Sequence, residues 1–138
     1  MRISYSKSGI ATLAALLVLG STSSHASTTK VIAEAQNGET ITVKSGAVLT
    51  IVLHSTFWDG AKTKNLVQVK PSEIAPVTPS PTAAVGCQHP GSGCGTITWF
   101  YKVKKKGLAT FTATRSSCGE VLQCTPENSN FKVKFLVK

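Results

Sequence analysis

Four cysteines fall in two tight pairs, Cys87 with Cys94 and Cys118 with Cys124, in stretches rich in Gly, Ser and Pro behind an apolar leader. In an oxidising compartment closely spaced cysteines pair by default, so both stretches read as stapled loops. The leader supplies the compartment. Arg2 and Lys7 give it a positive start, Ile10 to Leu19 a short apolar core, and Ser24-His25-Ala26 a small-x-small cleavage site. Residues 1–26 are therefore expected to be a secretory signal peptide and residues 27–138 a single domain, periplasmic or secreted. No segment approaches the roughly 18 consecutive apolar residues that a transmembrane helix needs.

After the leader, period-two alternation dominates and helical periodicity is absent, which predicts an all-β domain. Strands are expected at residues 31–35, 39–44 and 48–53, with turns at Asn37-Gly38 and Ser45-Gly46. Residues 54–60 read as a loop and 65–70 as a further strand. Pro71, Pro76, Pro79 and Pro81 then allow only an edge or a long connection, because proline cannot donate to a ladder. Ile97, Trp99, Tyr101 and Val103 share one face of a strand, and Lys105-Lys106-Gly107 is expected to fold it into a hairpin with residues 108–115. Phe131, Val133, Phe135 and Val137 make the inner face of the last strand, with Lys132, Lys134 and Lys138 on its other face, where lysine also discourages edge-to-edge pairing. About seven strands in about 100 residues is the content of an immunoglobulin-like antiparallel β-sandwich.

The disulfide partners follow from two opposed terms. Loop-closure entropy is about 2.4 kcal/mol for each short ring and about 3.5 kcal/mol for a longer link such as Cys94 to Cys118. Proximity in the unfolded chain favours the short rings, Cys87 to Cys94 and Cys118 to Cys124, and the long link stays open as an alternative.

Charge narrows the partner. Without the leader, thirteen Lys and Arg face six acids. Export, and lysines spread along strands with no aromatic interleaving, argue against nucleic acid. Cys87, His89 and Cys94 lie close in sequence, but their spacing suits no standard zinc module and oxidised cysteines are not thiolate ligands, so no metal or other cofactor is expected. Neither a nucleophile with its base nor a recognisable carboxylate pair is present, and the chain is not expected to be an enzyme. Arg115 and Glu120 are close enough in sequence for a local ion pair.

The order of the motifs Asn37-Gly38-Glu39-Thr40-Ile41-Thr42-Val43 and Gly46-Ala47-Val48-Leu49-Thr50-Ile51-Val52-Leu53, then a Gly-rich turn, a Lys-Lys-Gly turn and a closing strand, resembles the chagasin family of cysteine-protease inhibitors. The likeness spans most of residues 27–138 and points to a divergent, exported bacterial branch. In that family three loops at one end of the sandwich enter the cleft of papain-like proteases, carrying Asn-Pro-x-x-Gly, Gly-x-Gly-Gly and Arg-Pro-Trp. Here the first loop reads His54-Ser55-Thr56-Phe57-Trp58-Asp59-Gly60, without Asn-Pro. The second, Gly91-Ser92-Gly93-Cys94-Gly95, keeps Gly-x-Gly but has Cys94 at the last glycine. The third keeps Arg115, with Ser116-Ser117 in place of Pro-Trp.

The resemblance implies a reversible, steric thiol protease inhibitor acting as a monomer on a protein partner, a papain-like cysteine protease. Its partner-binding residues would be Thr56, Phe57, Trp58, Gly91, Gly93, Gly95 and Arg115. The alternative is a non-inhibitory envelope or adhesion-type domain that binds anionic surfaces through its basic faces.

Overall fold

A computed structural model describes residues 27–83, 87–89, 91–119 and 123–138. The expected signal peptide at residues 1–26 lies outside them, as does Glu120. Eight strands form two four-stranded sheets. The first sheet runs β1 (Thr29–Ile32), β3 (Val48–His54), β6 (Gly95–Val103), β5 (Leu66–Pro76). The second runs β2 (Thr40–Val43), β8 (Asn130–Val137), β7 (Gly107–Thr114), β4 (Asp59–Lys64). Most pairings are antiparallel; β1 with β3 and β2 with β8 are parallel. A single 3-10 turn, Glu34–Gln36, and one short helix, α1 (Pro126–Ser129), complete the described structure.

Alternating side chains from both sheets fill the space between them, as the period-two pattern requires. Leu49, Ile51, Leu53, Ile97, Trp99, Tyr101 and Val103 face Ala109, Phe111, Ala113, Phe131, Val133, Phe135 and Val137, all buried. Phe111 is the hub: its ring centre lies 5.4 Å from that of Trp99, 5.7 Å from Tyr101 and 6.1 Å from Phe131, tilted or edge-on in each case. Such geometries suit the aromatic quadrupole.

Four expectations are corrected. The strand at Asp59–Lys64 lies where a loop ran into unassigned sequence. Its segment Asp-Gly-Ala-Lys-Thr-Lys has no apolar alternation, because it is an edge strand that packs little more than Ala61 against the core. Lys105-Lys106-Gly107 does not close a hairpin: β6 pairs with β3 and β5, and β7 with β4 and β8, so this turn crosses between the sheets. The first strand ends at Ile32, its single buried residue, and residues 34–36 form the 3-10 turn. The last strand is interior to its sheet, so Lys132 and Lys134 coat an outer face and guard no edge. Pro71 and Pro76 lie on β5, an edge strand with two register shifts, where a missing N–H costs little.

Candidate partner-binding site

Three loops emerge at one end of the sandwich, where β3, β5 and β7 finish and β4, β6 and β8 begin. The first turns sharply at Ser55, which adopts a left-handed φ of 88°. That conformation is uncommon outside glycine. It is held by Ser55 N–H donating to Gly95 O (2.9 Å), Thr56 N–H donating to Gly93 O (2.7 Å) and Phe57 N–H donating to Ser55 Oγ (3.2 Å). The first and second loops are thus joined through backbone.

The glycines of the second loop are required by this approach. A Cβ on Gly93 would run into the Phe57 ring, and one on Gly95 into the Ala75 carbonyl oxygen. Gly95 also has φ 130° and Gly91 φ 81°, both in the range that side chains disfavour. Cys87 and Cys94 are disulfide-bonded with 5.6 Å between Cα atoms, bracing the same loop.

Arg115 opens the third loop. Its N–H donates to Ser129 O and its Nε to Asn128 O, both at 2.9 Å, and its guanidinium carbon lies 4.5 Å from the centre of the Trp58 ring. A guanidinium over an indole face is attracted by the ring quadrupole. Partial burial lowers the Arg115 pKa from its ordinary value while the charge of Glu34 acts to raise it. The side chain remains a cation at any physiological pH. Cys118 and Cys124 are bonded with 5.0 Å between Cα atoms, and Ser117 forms an isolated bridge with Gln123. Both local disulfides expected from proximity are therefore present.

Trp58 is buried, with its Nε1–H donating to His54 O at 2.8 Å. Its ring is the platform beneath Arg115, and the exposed part of that stack is the guanidinium. Trp58, expected among the partner-binding residues, thus lies in the core beneath Arg115. The remaining expected residues converge. Thr56, Phe57, Gly91 and Gly93 line a hollow of about 330 Å³ with Val77. A larger groove of about 560 Å³ runs beside it between His54, Val77, Cys87, Cys94, Arg115 and Cys118, so cysteines of both bridges flank one space.

Glu34 and Asn128 also belong to this end, unannounced by any motif. Glu34 accepts from the His54 backbone N–H, and its Oε2 lies 3.0 Å from His54 Nδ1. Asn37 anchors the neighbouring turn to β8: Lys132 N–H donates to its Oδ1 (2.8 Å) and its Nδ2 donates to Asn130 O (3.1 Å). These contacts join residues 20 to 95 positions apart, which no local spacing encodes.

No protein-family model matches the chain, and no curated protein matches it either. Solved structures do. The cysteine protease inhibitor EhICP2 from Entamoeba histolytica is 11% identical with a TM-score of 0.57, over 80% of this chain and 96% of that one. Amebosin, solved in solution, is 15% identical with a TM-score of 0.53, over 82% of this chain and 100% of that one. The fold is chagasin-like. At such identities the likeness speaks for the fold alone.

Proposed function

We propose that this chain is an exported binding module, residues 27–138 after removal of a leader, that acts as a monomer and blocks papain-like cysteine proteases sterically and reversibly. One observation carries the reading: three loops, two of them stapled, converge on one end and hold one another through backbone hydrogen bonds and the Arg115–Trp58 stack. A loop set already ordered loses less entropy on docking. The structural likeness to a cysteine protease inhibitor supports the same reading.

In this mode the loop end covers the protease cleft and no bond is made or broken. Thr56 and Phe57 supply the leading contact in place of the missing Asn-Pro wedge, with Gly91 and Gly93 beside them. Arg115 supplies a fixed cation at the flank. Two disulfides, and the absence among the described residues of a helix long and apolar enough to cross a membrane, fit a periplasmic or extracellular setting.

The test is hydrolysis of a peptide substrate by papain with the disulfide-bonded protein at micromolar concentration. The expected result is a raised KM with unchanged kcat, and Phe57→Ala or Arg115→Ala weakening inhibition by about tenfold, or about 1.4 kcal/mol. Undiminished hydrolysis at that concentration would discard the protease reading.

A further inference from the structure

The end of the sandwich opposite the three loops gathers chain segments 43–48, 64–67, 102–109 and 136–138. Ser45 N–H donates to Lys138 O and Gly46 N–H to Val103 O, each at 3.0 Å, while Asn65 Nδ2 donates to Leu108 O at 2.7 Å. Val67 stands beside Lys102 in the ladder. These segments carry seven lysines, Lys44, Lys64, Lys102, Lys104, Lys105, Lys106 and Lys138, all exposed, and no aspartate or glutamate. Neither ion pair among the described residues involves any of the seven. Of the described acids, Glu34, Asp59, Glu73 and Glu127 lie toward the loop end, and Glu39 stands beside Lys134 at the middle of β8.

We infer that this lysine-bearing end is a contact surface for an anionic lipid bilayer, independent of what the loop end binds. Charge complementarity is the first argument: lysines within about a Debye length of a phosphate-bearing leaflet add favourable terms that salt weakens. The second is apolar surface in the right place. Leu108 and Leu136 stand opposite each other across β7 and β8, 46% and 41% exposed, and Val67 is 36% exposed. Leucine and valine beside lysine suit the headgroup boundary, where an apolar group can reach acyl chain while ammonium stays at phosphate. The four segments hold no Phe, Tyr or Trp, so they offer no ring on which a nucleobase or sugar could stack. Docked this way, the molecule would present its three loops away from the membrane.

Sedimentation of the disulfide-bonded protein with vesicles of phosphatidylcholine alone, or mixed with phosphatidylglycerol, tests this. Binding is expected to the mixed vesicles only. The triple variant Lys104→Ser, Lys105→Ser, Lys106→Ser should weaken it by at least about tenfold, whereas Lys62→Thr, Lys132→Thr, Lys134→Thr, which removes equal charge from the outer sheet face, should change it by less than about threefold. Leu108→Ser with Leu136→Ser should reduce vesicle binding and leave binding to dextran sulfate unchanged. Equal loss from both triple variants, equal binding to neutral vesicles, or binding to dextran sulfate without vesicle binding would overturn the inference. Papain inhibition measured on the same samples separates its failure from that of the loop reading.

Discussion

The two ends of this sandwich are held by different means. At the loop end the longer connections carry, among their described residues, no more regular structure than the one-turn helix α1, and order comes from two disulfides, from backbone bonds between neighbouring loops and from Arg115 seated on Trp58. At the lysine end short connections turn through Gly46 at φ 82°, Asn65 at φ 59° and Gly107 at φ 112°, and ladder hydrogen bonds continue almost to the tips. A short turn has little entropy to lose and needs only a residue that tolerates left-handed backbone. A long loop needs cross-links. The first kind of end presents a shaped surface that a single partner can match; the second presents charge, which acts at range and with little shape.

The largest effect that would sharpen this contrast is at the platform. Trp58→Ala removes a buried ring and should cost about 3–5 kcal/mol in denaturant unfolding, with Arg115 released. A cost below about 1 kcal/mol would mean that the stack braces nothing. Reduction of the disulfides comes next, at about 2.4 kcal/mol per bridge. Hydrogen exchange should then quicken at residues 87–95 and 115–124 and stay unchanged at Gly46 and Gly107; uniform quickening would erase the distinction between the ends.

Asn65→Ala should cost about 1 kcal/mol, because it forfeits the bond to Leu108 O and places alanine at positive φ, and the loss should register at the lysine end alone. The smallest effect lies between the ends. Burial raises the Tyr101 pKa above its ordinary value of 10.0, so the unfolded chain gives up that proton first. Stability should therefore be unaffected below about pH 10 and fall as pH rises through that value, and Tyr101→Phe should flatten the fall in an alkaline thermal melt.

Much of this was readable along the chain. Ile97, Trp99, Tyr101 and Val103 occupy alternate positions and are buried together, as are Phe131, Val133, Phe135 and Val137. Gly91, Gly93 and Gly95 stood out as a pattern, and the structure supplies the reason for two of them in the Phe57 ring and the Ala75 carbonyl. Residues 59–64 are not legible as a strand because an edge strand of mostly polar residues writes no period into the sequence. Glu34 carries no sequence signal because its partner, His54, lies 20 residues away on another element.

By itself, then, the order of residues determined which side chains face inward, where the chain must turn, and that each cysteine had a near neighbour to bond. All of these depend on groups a few positions apart. Tertiary structure alone decided that Lys105-Lys106-Gly107 passes from one sheet to the other, that Trp58 lies beneath Arg115, and that seven scattered lysines meet at one end. Strand pairing joins distant segments, and its choice rests on the packing of the whole core, which no local pattern contains.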